Sequence, residues 1–339
     1  MKKEGEIKMW YNEVSKDSDV VISSRIRFAR NIKGYRFPVI MSNKERKEII
    51  DILENSIDKK KYKLLKMQDI DDVTKLSLME KHIISKEFVE DELGAIITNE
   101  DSSVVAMVNE EDHLRIQAFS AGFNIDKCYK DLTCFTDSLG EKVEYIKNEK
   151  YGYITSCPTN VGSGMRVSVL LHLPALARVG LLNKLLDQAA SIGVSVRGLY
   201  GENTSGDGYM YQISNQKTLG MSDENIISGI KAIITSIVEQ ERKAREVLKN
   251  GNIQFEDEIF RAYGILKNSR VISQDEAVKL LSKVRLGVSI DMIKDVSLQK
   301  IQEIMINILS NTLKLNEKQD LSRQEELVKR AKYIREELN

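Results

Sequence analysis

The feature that most limits the fold is a change of hydrophobic period near Ser222. Between residues 20 and 220, apolar residues come in short runs such as GAIITN, VVAMVN and GYITSC, which have the length and composition of strands. Helical stretches lie among them, such as ALARVGLLNKLLDQAASIG, closed by Gly193. After Ser222 the apolar residues return every three or four positions. Ser222 is placed as an N-cap, and Ile226, Ile230, Ile233, Ile234, Ile237 and Val238 form one stripe of a helix that runs to about Asn250 and stops at Gly251. Ser273-Gln-Asp-Glu276 reads as a capping box ahead of Ala277, Leu280, Leu281 and Val284. Residues 296–312 and 320–338 give two more amphipathic helices. This pattern predicts a mixed α/β domain over residues 1–250 and an all-helical domain over 251–339.

Totals exclude several classes. Lys and Arg number 51 and Asp and Glu number 51, so the formal charge is zero, whereas a nucleic-acid binder carries a basic excess. No apolar run approaches the ~20 residues of a membrane span. The opening MKKEGEIKMWYNE has no apolar core of a secretory signal. Cys128, Cys134 and Cys157 show no CxxC spacing, which fits free thiols in a reducing cytoplasm and predicts no zinc site. His82, His113 and His172 are the only histidines, and they form no HExxH. The expected protein is cytoplasmic, with no nucleic acid, membrane or protein-held metal.

The strand-like run Val104–Val108 ends on three carboxylates, Glu110, Glu111 and Asp112, with His113 and Arg115 close behind. Taken alone, such a run is a solvated turn. Arginine placement adds to it. SSRIRFARN sets Arg25 and Arg27 two apart, so in a strand both face one side. Arg115, Arg166 in TNVGSGMRVSVL and Arg197 in SVRGLYGEN also stand in strand or glycine contexts, although lysine is the commoner cation. A planar, permanently charged fork suits bidentate binding of phosphate oxygens. Each arginine alone reads as a surface cation, and composition does not show that they converge. There is no GxxxxGK(S/T), HRD or DFG, which sets aside P-loop enzymes and ordinary protein kinases. GSGMRV lacks the third glycine and the acid of a dinucleotide fingerprint.

SSRIR, NEEDHLR, TSCPTNVGSGMRVSV and RGLYGE, in this order, resemble the phosphagen (guanidino) kinase superfamily. SCPTNVG, LLHLPAL, RGLYGE and QISNQKTLG are similar to its protein-arginine kinase (McsB) branch, and the resemblance covers about residues 20–245. It implies an α/β (α+β) fold, an antiparallel sheet flanked by helices. It implies that Arg25, Arg27, Arg115, Arg166 and Arg197 surround the phosphates of ATP, with Mg²⁺ bridging them. Ser23, Ser24 and Ile26, Val167, Ser168, Val169 and Leu170, and Gly198, Leu199, Tyr200 and Gly201 are implied to line the nucleotide, and His82 to touch it. Glu111 matches the catalytic carboxylate, Glu202 its partner at the guanidinium, and Cys157 the active-site thiol. Glu110 and Asp112 would orient or solvate the loop. His113 is expected as a structural hydrogen-bonder, His172 as a packed histidine, and Cys128 and Cys134 as small core residues.

Only 22 residues precede Ser23, whereas small-guanidine kinases carry a helical domain there whose loop closes over the acceptor. The resemblance therefore points to an arginine on a protein surface as acceptor. It also implies marking of proteins for Clp-type degradation, regulation of a heat-shock repressor, and an activator protein, a Clp unfoldase and a homodimer as partners. Where the branch carries RDxxRA for sensing phosphoarginine, this chain has ELVKRA, with Glu326 and Leu327 replacing the first Arg-Asp and Arg330 and Ala331 retained. Two other readings stand beside this one, a small-guanidine kinase and an adaptor for a Clp unfoldase.

Overall fold

A computed structural model describes residues 9–13, 15–198, 207–250 and 252–339. Among them, eight strands form one antiparallel sheet: β1 (Val21–Arg30), β2 (Lys63–Lys66), β3 (Ala95–Thr98), β4 (Val104–Val108), β5 (Leu114–Ala121), β8 (Met165–His172), β9 (Val194–Gly198) and β10 (Met210–Asn215). Their order is β2-β3-β4-β5-β1-β8-β10-β9, and β6 (Lys147–Asn148) and β7 (Gly152–Tyr153) form a separate small hairpin. Helices α1 (Asn43–Ser56), α2 (Asp72–Glu80) and α3 (Ile125–Gly140) fall between the earlier strands.

Alternation along the central strands sorts the two faces. Ile26, Ile116, Val167 and Val169 enter the main core with Ile125, Leu132 and Phe135 of α3. On the opposite face Met107 and Phe119 join a second core with Met67, Ile83 and Phe88. Arg25, Arg27 and Arg115 share that second face.

The expected helix over 175–193 is two helices, α4 (Pro174–Arg178) and α5 (Leu182–Ser191). Gly180 separates them at φ +74°, a conformation that breaks a right-handed helix. Of GYITSC only Gly152 and Tyr153 are strand; the rest is loop, turning at Gly162 with φ +116°, and this loop carries Cys157. Cys134 is exposed on α3, not a core residue, whereas Cys128 is buried and its thiol donates to Ser24 O at 3.4 Å.

From Ser222, whose hydroxyl accepts from Asn225 N, the chain is helical: α6 (Asp223–Lys249), α7 (Ile253–Asn268), α8 (Gln274–Ser289), α9 (Leu298–Asn307), α10 (Ser310–Glu317) and α11 (Arg323–Leu338). Gly251 lies outside the described residues. The expected helix 296–312 is thus split. Arg330, almost fully buried, holds the junction by donating to Ile308 O and Ser310 Oγ. Ser273 caps α8 through Glu276 N.

These helices share the main core with the sheet: Leu281, Ile301, Ile304 and Ile334 belong to the same buried cluster as Ile26 and Val169. A buried polar network reinforces the junction. Arg245 pairs with Glu241 at 2.8 Å and donates to His172 O, while Arg285 donates to His172 Nδ1 and Asp19 O. Glu241 in turn accepts from Ala175 N and Leu176 N, closing the first turn of α4. His172 is the packed histidine expected. Among the described residues no helix is long and apolar enough to cross a membrane.

Candidate active site

Register brings the arginines together. Residues directly opposite one another on antiparallel strands share a face. Arg27 stands opposite Arg166 on one side and Gln117 on the other; Arg25 stands opposite Ser168 and Phe119. Arg115 is two residues from Gln117 and therefore on the same face. Farther along, Ser23 pairs with Leu170, Leu170 with Gln212, and Gln212 with Arg197. Arg25, Arg27, Arg115, Arg166 and Arg197 all line one cleft of about 670 Å³, and Glu111 and Cys157 line it with them.

The cleft holds positive charge that protein atoms only partly answer. Arg25 donates to Gln212 Oε1 at 3.0 Å and Arg166 to Ser214 Oγ at 2.9 Å, both neutral acceptors. Burial, then repulsion from Arg115 and Arg166, pulls Arg25 down to about 9. Burial and its arginine neighbours hold Arg27 well below its ordinary value, and burial, Arg197 and Arg115 lower Arg166. A guanidinium does not lose its proton under such conditions. Five guanidinium groups that stay charged this close together favour a polyanion between them. Burial and then Arg25 lower His82, which also lines the cleft, to about 4, so its ring is neutral near pH 7.

The acidic run occupies the β4–β5 hairpin. Asn109 ends β4 at φ +63°, a left-handed position that asparagine tolerates, and its N–H donates to His113 O. The three acids then diverge. Glu110 ion-pairs with Arg115 and accepts from Ser85 Oγ at 2.6 Å. Burial pushes its carboxyl up, but Arg115, Ser85 and Glu111 N outweigh that and lower it. Asp112, buried, accepts from Asn31 Nδ2 and from Ser156 N, both at 2.7 Å, and so ties the hairpin to the Cys157 loop. His113 accepts from Ile32 N at Nδ1 and bonds Arg36 O at Nε2. Of the three, only Glu111 is exposed, and it lines the cleft. Burial, then Asp112 and Glu110, raise its carboxyl, against Arg115 and a hydrogen bond with Cys157. Cys157 Sγ also lies 3.0 Å from Thr159 Oγ1.

Not every residue implied by the resemblance reaches the cleft. Ser23, Ser168 and Leu170 line an adjoining cavity that Arg25 and His82 share. Ser24, Ile26, Val167 and Val169 do not line either cavity: strand alternation turns them to the other face, where Ile26, Val167 and Val169 are core and Ser24 Oγ donates to Gly122 O. Gly198 ends β9 opposite Tyr211. Leu199, Tyr200, Gly201 and Glu202 lie outside the described residues. Sequence reasoning missed Gln212, Ser214 and Ser85, whose type is too common to signal anything without the register. Among the described residues no group of three or more His, Cys, Asp or Glu could hold a metal ion.

Comparison with known proteins agrees with this geometry. A family model described as ATP:guanido phosphotransferase, C-terminal catalytic domain, matches residues 44–244, and one described as Protein-arginine kinase McsB C-terminal domain matches residues 252–339. The chain is 40% identical to the protein-arginine kinase of Clostridium acetobutylicum over 98% of this chain and 100% of that one. It is 42% identical to that of Geobacillus sp. (strain WCH70), over 98% and 94%. The solved duplicated taurocyamine kinase of Schistosoma mansoni, with bound transition-state analogue components, aligns with a TM-score of 0.60 at 26% identity, covering 70% of this chain and 35% of that one. The chain belongs to the ATP:guanido phosphotransferase family, whose phosphoryl donor is ATP. Its full-length likeness places it in the protein-arginine kinase branch of that family.

Proposed function

We propose that this protein transfers the γ-phosphoryl group of ATP to arginine side chains of other proteins. The observation that carries the reading is one cleft lined by five arginines together with Glu111 and Cys157. The arginines would grip the triphosphate and neutralise charge as the γ-phosphoryl group moves, where positioning and electrostatics supply most of the rate. Mg²⁺, held by phosphate oxygens and water, would add to that neutralisation.

The acceptor guanidinium needs acceptors in its own plane to aim one nitrogen at phosphorus. Glu111 would supply one such acceptor, with Glu202 as the second carboxylate implied by the family motif. A glutamate of pKa ~4.3 cannot deprotonate a free guanidinium of pKa above ~12. Proton transfer therefore comes late. As the N–P bond forms and the bond from γ-phosphorus to the bridging oxygen breaks, the nitrogen loses basicity, its proton passes to Glu111, and ADP departs. Cys157, which lines the cleft with Glu111, would contact the same acceptor.

A protein acceptor is favoured by the names of the full-length relatives and by the exposure of Glu111. The wider role, marking proteins for Clp-type degradation and regulating a heat-shock repressor in the cytoplasm, follows the same kinship, as do an activator protein, a Clp unfoldase and a second copy as partners. Incubation with MgATP and an arginine-rich protein, with free arginine in parallel, tests the acceptor. Acid-labile phosphate on protein arginine is the expected product. Label on free arginine alone would replace this reading with a small-guanidine kinase.

A further inference from the structure

The arginine cleft does not end at Arg25. It opens into a second, more apolar cavity, and Arg25, Glu80, His82, Gln212 and Leu309 line both. Glu111 and Cys157 line the first cavity only, and the apolar end has neither. Two features of the apolar end suit a flat heteroaromatic ring. Trp10 stacks on Phe119 with centroids 5.1 Å apart, an aromatic surface at its edge. Trp10 Nε1 and the buried Ser168 Oγ also line it, and neither has a hydrogen-bond partner among the described residues. Buried polar atoms without partners are rare and call for one.

The inner wall comes from an unexpected part of the chain. Gln302, Met305 and Ile306 of α9, and Leu309 at the start of α10, line this cavity. These residues fall in the 252–339 match, beyond the 44–244 match to the catalytic domain. The wall is fastened at three points. Glu80 accepts from Asn311 N, Asn311 Nδ2, Thr312 N and Thr312 Oγ1, at 2.8–3.0 Å. Gln274 Oε1 accepts from Ser310 N at 2.9 Å, and Arg330 donates to Ile308 O at 2.8 Å. The residues next to Leu309 on either side are thereby fixed.

We propose that α9 and the turn into α10 form the wall of the base subsite, so that Gln302, Met305 and Leu309 contact the heteroaromatic base of the nucleotide donor. This rests on the ATP-dependent reading above and adds to it: the C-terminal helices complete the donor site, and base affinity depends on them while phosphate affinity does not.

The test compares two ligands on the full-length protein by calorimetric titration with Mg²⁺ present, ATP and inorganic tripolyphosphate, which carries the phosphates without the base. Leu309→Ala and Gln302→Ala are each expected to weaken ATP about fivefold or more and to leave tripolyphosphate within about twofold. Unchanged tripolyphosphate binding also shows that the variants are folded. Lys332→Ala, exposed on α11, should change neither. Undiminished ATP affinity in both variants would overturn the proposal, and so would equal weakening of both ligands. Wild-type protein that binds tripolyphosphate as tightly as ATP has no base subsite, which also overturns it. Wild-type protein that binds neither ligand would remove the ATP-dependent reading itself.

Discussion

Glu110 and Glu111 are neighbours in sequence with opposite surroundings. Glu110 faces Arg115 and Ser85, which lower its carboxyl; Glu111 faces solvent and two other carboxylates, and burial together with those charges raises it. A raised carboxylate takes its proton at a higher pH than an ordinary glutamate, so its ionised form is lost earlier on acidification. The acid limb of kcat/KM should therefore lie above the ordinary glutamate range. Asp112→Asn keeps an acceptor for Asn31 and Ser156 while removing the stronger of the two repelling charges, and should move that limb to lower pH. An unmoved limb would mean that another group controls it. Asp112→Ala has a different consequence. It leaves Ser156 N without its acceptor and should lower stability by about 1–3 kcal/mol in chemical denaturation. It should also reduce kcat more than it raises KM for ATP, because the Glu111 and Cys157 loops lose their common tie.

At the scale of the element, strand period explains what was legible in the sequence and what was not. The pair Arg25 and Arg27 could be assigned to one face from spacing alone. Their meeting with Arg115, Arg166 and Arg197 depends on pairing register between strands far apart in the chain, which no local pattern encodes. The same alternation removes Ser24, Ile26, Val167 and Val169 from the cleft, since a motif marks a segment and only every second side chain of a strand reaches one side. The break at Gly180 and the split at Leu309 were hidden for another reason: apolar spacing continues across both. The central strand also makes a prediction. Arg27 is half-buried amid like charges, so Arg27→Met should raise the melting temperature of the ligand-free protein, by ~2–4 °C for each kcal/mol of relieved repulsion. ATP should no longer raise it further. A fall in melting temperature would show that Arg27 is structurally compensated.

At the scale of the molecule, the switch from strand to helix at Ser222 was readable, but the way the two parts join was not. The expected boundary near residue 250 says nothing of a core that runs from the sheet into α8, α9 and α11. Nor does it reveal Arg245, Arg285 and Glu241 buried around His172 O and Asp19 O. A continuous core predicts one cooperative unfolding transition, followed identically by far-ultraviolet circular dichroism and by the single tryptophan, Trp10. Arg245→Met leaves Glu241 buried without its cation and should cost about 3–5 kcal/mol, within that same single transition. In the ELVKRA segment, Arg330 is already engaged by Ile308 O, Ser310 Oγ and Glu326, so its side chain serves the α9–α10 junction.

In the proposed reaction the arginines bind the donor while Glu111 acts on the acceptor. The most direct measurement follows ATP affinity and phosphoryl transfer to protein arginine together in wild type and Glu111→Gln. Glu111→Gln should bind MgATP within about twofold of wild type and lose ~10²–10⁴ of the transfer rate, the range a positioned acid–base group supplies. Transfer that survives in Glu111→Gln, or ATP binding that disappears with it, would contradict the division of labour along the cleft.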